Sequence, residues 1–159
     1  MNYSYSVLFV CLGNICRSPT AEAIFHKKLE LAGLSNKVFA DSAGTGDWHI
    51  GKPPDTRAQE EGAEHGYDLT PLRARQINHD DFDRFDLILA MDHDNLTNIL
   101  SLRQGVSADQ VRLLLSFSDA ANQVVPDPYY GGIEGFTQVI RLVEQATDGL
   151  IEHIQQQNL

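Results

Sequence analysis

Two hydrophobic signatures take turns along this chain: short unbroken apolar runs, and longer stretches whose apolar residues recur every third or fourth position. Residues 5–10, with Val7-Leu8-Phe9-Val10 at their centre, read as a strand buried on both faces. Ser18-Pro19 then reads as an N-cap and first helical residue, and Ala21, Ile24, Phe25 and Leu29 line one face of a helix that ends near Gly33. Residues 37–41 form a second expected strand, closed by the turn Ser42-Ala43-Gly44-Thr45-Gly46. Residues 55–65 read as a polar helix stopped by Gly66, and residues 86–91 as a third strand with Asp92 capping the next helix. Residues 111–115 make a fourth strand. The clearest stripe comes last: Phe136, Val139, Ile140, Val143, Ala146, Leu150 and Ile154 share one helical face. Gly149 interrupts that helix at a cost of about 1 kcal/mol relative to Ala, which burial of the stripe can offset.

Strand and helix signals in alternation argue for α/β architecture: a small doubly wound sheet of about four parallel strands, helices on both faces, and an anion-binding loop after the first strand. No repeat and no Pro-, Gly- or Ser-rich linker divides the chain, so residues 1–159 are expected to form one domain. Ligands in such folds bind outside the carboxyl ends of the strands, and the first of those ends is Cys11.

Charge narrows the choice of ligand. Twelve Lys+Arg face 22 Asp+Glu, a net charge of −10, which disfavours nucleic acid and anionic lipid surfaces. A small anion can still bind where local N–H groups and one cation outweigh that field. The opening segment lacks a basic start, a small-residue cleavage site and a run long enough to span a bilayer, so a cytoplasmic protein without membrane insertion is expected. Cys11 and Cys16 are the only cysteines, too few for a disulfide framework. His79-Asp80-Asp81 and Asp92-His93-Asp94 fall at expected helix starts, where Asp caps and complements the dipole; no metal and no cofactor is expected.

The chemistry concentrates in Cys11-Leu12-Gly13-Asn14-Ile15-Cys16-Arg17-Ser18, between the first strand and the first helix. A loop of this length can wrap a tetrahedral oxyanion and offer it successive backbone N–H groups. Gly13 and Asn14 tolerate the positive φ that a tight curl needs. Arg17 can grip two phosphoryl oxygens at once, which Lys cannot. The helix terminus, Arg17 and the Ser18 hydroxyl all favour a Cys11 thiolate, and thiols in such settings ionise at roughly 3.5–7.5. An isolated cysteine at a strand end is more often a small buried hydrophobe; here the strand before and the helix after select the nucleophile reading.

Val10-Cys11-Leu12-Gly13-Asn14-Ile15-Cys16-Arg17-Ser18-Pro19 resembles the signature of low-molecular-weight protein-tyrosine phosphatases. Asp41-Ser42-Ala43-Gly44-Thr45, Ala74-Arg75-Gln76, Met91-Asp92 and Asp127-Pro128-Tyr129 follow in that family's order. The resemblance implies hydrolysis of phosphotyrosine through a phosphocysteine. Cys11 would be the nucleophile, Arg17 the phosphate clamp and Asp127 the general acid and base, held between Pro126 and Pro128. It implies a substrate cleft walled by Ile15, Trp48, Tyr129 and Tyr130, and a brace of Asn14, Ser18 and Ser42 behind the loop. Many relatives add a His near the Ala-Arg-Gln segment; Leu72 stands there, so a smaller brace is expected. Trp48 has a second reading, as a residue packed on the nearby helix. Cys16 likewise has two: a filler side chain, or a partner for Cys11 in a reversible peroxide-induced disulfide. The implied partners are tyrosine-phosphorylated proteins and a cognate tyrosine kinase, met by a monomer.

Neighbouring activities fit less well. Thioredoxin-linked arsenate reductases of this fold need further cysteines. Protein-arginine phosphatases carry Thr where this chain has Ile15, whose bulk suits a flat phenyl ring. A phosphocysteine carrier or phosphate-binding module has no use for Asp127.

Overall fold

The computed structural model describes residues 2–119 and 123–159. Strands β1 (Tyr5–Cys11), β2 (Val38–Gly44), β3 (Leu87–Ala90) and β4 (Val111–Leu113) form one parallel sheet in the order β2-β1-β3-β4. Helices α1 (Arg17–Leu31), α2 (Thr56–Glu64), α3 (Asp81–Arg84), α4 (His93–Leu100) and α5 (Ile133–Gln155) connect and flank it. Val7 through Val10 are fully buried because apolar layers cover both faces of β1. Val7 and Phe9 pack with Ile24 and Phe25 of α1 and the Val139, Val143 and Leu150 stripe of α5. Leu8 and Val10 face the other way, onto Phe82 of α3 and Ile99 of α4. No helix among the described residues is long and apolar enough to cross a membrane.

The chain leaves β1 toward β2 on one side and later returns to β3 on the other. The crevice at this switch lies beyond the carboxyl ends of β1 and β3. Cys11 ends β1, and Met91-Asp92 follows β3, so the two segments face one crevice.

Several boundaries differ from the sequence reading. The second strand continues through Ser42, Ala43 and Gly44, which pair with Phe9, Val10 and Cys11. The residue types of a turn serve close approach instead: a Cβ on Gly44 would lie 2.8 Å from the Leu12 carbonyl oxygen. The fourth strand stops at Leu113, and Leu114–Phe117 coil into a 3-10 turn. That turn explains Gly149, whose Cβ would lie 1.9 Å from the Phe117 carbonyl oxygen. Contact, more than tolerance of a poor helix former, accounts for the glycine. Helix α1 begins two residues early, with Cys16 at the N-cap and no side chain capping it. Ser18 is withdrawn from capping because its hydroxyl faces Cys11, Asn14 and the Ala43 carbonyl. Asp55 and Asp92 do cap, accepting from Arg57 N–H at 2.8 Å and Asn95 N–H at 2.7 Å. Asp80 makes no such bond, and Asp81 is fully buried in a two-pronged pair with Arg75, both at 3.1 Å.

Candidate active site

Between β1 and α1 the chain curls with its carbonyls turned outward. Those of Cys11, Leu12, Ile15 and Cys16 accept from the N–H groups of Thr45, Gly46, Asp55 and Thr20 at 2.9, 2.8, 2.8 and 3.4 Å. In a trans peptide the C=O and the following N–H point in opposite directions. The N–H groups of Leu12, Gly13, Cys16 and Arg17 are therefore directed into the curl, where an anion would lie. Asn14 makes the bend at φ 56°, the only positive φ outside glycine among the described residues. Gly13 does not use that freedom; its missing side chain leaves room for His49, whose Cδ2 would lie 3.0 Å from a Cβ there.

Cys11 lies at the floor of a cleft of about 390 Å³ and is 3 % exposed. Its Sγ is 3.0 Å from Ser18 Oγ. Behind it runs a hydrogen-bonded chain of buried side chains. Asn14 Nδ2 donates to Ser18 Oγ at 2.8 Å and Ser42 Oγ at 3.0 Å, and Asn14 Oδ1 accepts from Arg75 N–H at 2.9 Å. Ser42 Oγ donates to Glu22 Oε1 at 2.7 Å, and His26 Nε2 lies 3.6 Å from Glu22 Oε2. The brace is thus larger than the expected trio. Leu72 packs with Ala58, Leu69 and Phe136, and Glu22 and the Arg75 N–H complete the polar chain. Burial lifts the Glu22 carboxyl to about 7; the Ser42 hydrogen bond opposes this, and Asp41 adds to it.

Arg17 joins the loop to the rest of the cleft. Its Nη1 donates to Asp92 Oδ2 at 2.6 Å and to the Val125 carbonyl at 3.0 Å, while Nη2 is 3.7 Å from Asp127 Oδ2. Burial alone would weaken its proton affinity, but Cys11, Asp92 and Asp127 outweigh this and raise it. A guanidinium so held is a fixed charge at the anion's place. Asp92 therefore does more than cap α4. Its second oxygen orients Arg17, and the sequence signal was its position after β3, at the switch crevice.

The segment carrying Asp127 approaches from across the sheet. Val125 is fully buried and donates its N–H to the Met91 carbonyl at 2.8 Å, while the Asp127 side chain is 39 % exposed. Ile15, Trp48, Tyr129 and Tyr130 all line the cleft, as does His49, which sequence reasoning passed over. Trp48 does not pack on a helix: its ring lies against Gly46 and it is 63 % exposed. Tyr129 and Tyr130 meet edge to face at 5.0 Å, with Tyr130 at the open mouth. Cys16 is buried, and that burial, with Asp55, Cys11 and Asp127 nearby, pushes its thiol well up. It remains a neutral thiol at ordinary pH.

The family described as low molecular weight phosphotyrosine protein phosphatase matches residues 6–159. A low molecular weight protein-tyrosine-phosphatase of Streptomyces coelicolor is 46 % identical over 158 residues, covering 97 % of this chain and 96 % of that one. A crystal structure of a protein tyrosine phosphatase from Entamoeba histolytica superposes with a TM-score of 0.93 at 39 % identity, over 98 % of this chain and 100 % of that one. The Drosophila arginine phosphatase shares the fold at a TM-score of 0.87 and 31 % identity, over 96 % of this chain and 99 % of that one. With the match spanning the anion loop, the brace and the segment around Asp127 alike, the chain belongs to the low molecular weight phosphotyrosine protein phosphatase family and is a protein phosphatase of that class.

Proposed function

We propose that this chain hydrolyses phosphotyrosine in proteins through a phosphocysteine, with Cys11, Arg17 and Asp127 carrying the reaction. The observation that supports this most is the convergence of three groups on one cleft: a buried sulfur at its floor, a fixed guanidinium beside it, and a half-exposed carboxyl 3.7 Å from that guanidinium. Phosphate enters the curl of inward N–H groups and Arg17. The Cys11 thiolate attacks phosphorus in line; the bond to the aryl oxygen breaks, and Asp127 protonates the departing phenolate. The N–H groups and Arg17 hold the three equatorial oxygens as charge moves through the transition state. Asp127, now a carboxylate, takes a proton from water, which attacks phosphorus and returns the thiolate. Ser18 Oγ faces the sulfur throughout and stabilises its negative charge.

The bulk of Ile15 favours a phenyl ring over a guanidinium, while Trp48 and Tyr129 wall the slot the ring enters. Because an arginine phosphatase shares the fold, the wall and not the architecture carries that choice. The further reading is of a monomeric cytoplasmic enzyme of one domain, needing no cofactor, acting on tyrosine-phosphorylated proteins opposite a cognate kinase. It is also redox-sensitive. Peroxide oxidises Cys11 to the sulfenic acid, and the Cys16 thiol displaces water to close a disulfide.

Rapid quenching with a phosphotyrosine peptide tests the core of this reading. The wild type accumulates a phosphorylated Cys11, while Cys11→Ser loses turnover by about 10⁴-fold or more and shows no such adduct. Near-wild-type turnover by Cys11→Ser, or faster release of phosphate from phosphoarginine than from phosphotyrosine, would sink it.

A further inference from the structure

Arg57, in the first turn of α2, links the acid loop to the anion loop, and no step of the reaction uses it. Its Nε and Nη2 donate to Asp55 Oδ1 and Oδ2 at 3.1 and 2.9 Å, and Nη2 also donates to the Tyr129 carbonyl at 3.0 Å. The guanidinium carbon lies 5.5 Å from the centre of the Tyr129 ring and 4.7 Å from that of Phe136. Asp55, besides capping α2, donates its N–H to the Ile15 carbonyl at 2.8 Å. On the far side of the same peptide segment, the Tyr129 N–H donates to Asp127 Oδ1 at 3.1 Å. Both backbone polar groups of Tyr129 are thus taken, the carbonyl by Arg57 and the N–H by the acid itself.

We propose that Arg57 is the positioning residue for the Asp127 carboxyl. It pins the carbonyl and ring of Tyr129, whose N–H then orients the carboxyl beside Arg17. The chain of contacts runs from the anion loop at Ile15, through Asp55 and Arg57, to Tyr129 and Asp127. One strut therefore sets the distance between the group that receives phosphorus and the group that supplies the proton. Arg57 is itself partly exposed, and an exposed ion pair adds little to stability. Its effect falls on geometry, where a displacement of about 1 Å can cost as much as 10²-fold in rate.

The proposal rests on Asp127 acting as the acid, and the test separates the two. Values of kcat/KM are measured on aryl phosphates whose phenols range from strongly acidic to tyrosine-like, for wild type, Arg57→Ala, Arg57→Lys, Asp127→Asn and the Arg57→Ala/Asp127→Asn double variant. Arg57→Ala should lose roughly tenfold on the tyrosine-like esters and little on the most acidic phenols, which leave without a proton. Arg57→Lys should follow it, since an ammonium keeps the charge but lacks the fork that holds Asp55 and Tyr129 together. In the Asp127→Asn background the loss from Arg57→Ala should nearly vanish. A flat profile for both Arg57 variants beside a steep one for Asp127→Asn, or full additivity in the double variant, overturns the positioning role alone. A flat profile for Asp127→Asn sinks the acid assignment and the proposal with it. Should Arg57→Ala fail to melt cooperatively, Arg57→Lys alone and combined with Asp127→Asn carries the same outcomes.

Discussion

Residues 11–18 are enclosed by β2, α1 and the segment around Arg75, with Asn14, Arg17 and Ser18 almost wholly buried. Residues 125–130 have two buried members, Val125 and Pro128, with an exposed proline and a half-exposed aspartate between them and a tyrosine that is 95 % exposed at the end. The two loops line one cleft and are built in opposite ways. The anion loop must hold N–H groups and a sulfur still against a charge, so its own polar atoms need partners that do not move. Under the proposed function the Asp127 loop admits a protein-borne ring and releases it, and a few contacts hold it: the Val125 N–H on the Met91 carbonyl, the buried Pro128, and Arg57 on the Tyr129 carbonyl. In the proposed reaction stiffness lies where charge develops, and access lies where substrate enters.

Arg17 is where the loops meet, and substitution there should cost the most among their shared contacts. Arg17→Lys conserves charge but cannot reach Asp92, the Val125 carbonyl and phosphate together. A loss of about 10²–10³-fold in kcat/KM on phosphotyrosine is expected. Wild-type kinetics in that variant would mean that the loops need only a positive charge between them.

A smaller effect separates the loops by redox chemistry. After a peroxide pulse followed by thiol, wild type should regain most of its own starting activity. Cys16→Ser should regain a several-fold smaller share, because nothing captures the Cys11 sulfenic acid before further oxidation. Closure should quicken as pH rises, since burial keeps the Cys16 thiol protonated. Equal recovered shares would leave Cys16 as packing in the rigid loop.

The smallest effect probes the far end of the brace. Glu22 holds its proton more tightly folded than unfolded, with a folded value of about 7 against about 4.3 in an unfolded chain. Its contribution to stability is therefore greatest below the unfolded value and is lost as pH rises through the folded one. His26, lowered chiefly by burial, titrates with the opposite sign and lies 3.6 Å from Glu22, so its own midpoint is followed by NMR in both proteins and its contribution subtracted. Glu22→Gln, which keeps an acceptor for Ser42, should gain on the order of 1–3 kcal/mol relative to wild type between pH 5 and pH 8 in urea unfolding. A difference that stays constant with pH would remove Glu22 from the titrating groups of the brace.

The anion loop was legible because its chemistry is contiguous. A strand, a curl with an Asn able to take positive φ, an Arg and a helix start follow one another in the sequence, and local geometry alone brings them around an anion. The α5 stripe was legible for the same reason, since one helix face depends only on spacing. Asp127 was not distinguishable from other acidic residues by any local signal; the resemblance singled it out. Nor did spacing disclose that Asp92 turns one oxygen to Arg17, that Glu22 and the Arg75 N–H complete the polar chain behind the loop, or that Arg57 reaches Tyr129. Those partners are far apart in the chain and meet because the β2-β1-β3-β4 order places the ends of β1 and β3 side by side. Sequence by itself determined what can be built from neighbours: the curl, the thiol and guanidinium set in it, and the buried strand beneath them. Only the tertiary structure decided what holds them in place, because a buried polar atom takes whichever partner the packing delivers, and packing is a property of the whole sheet.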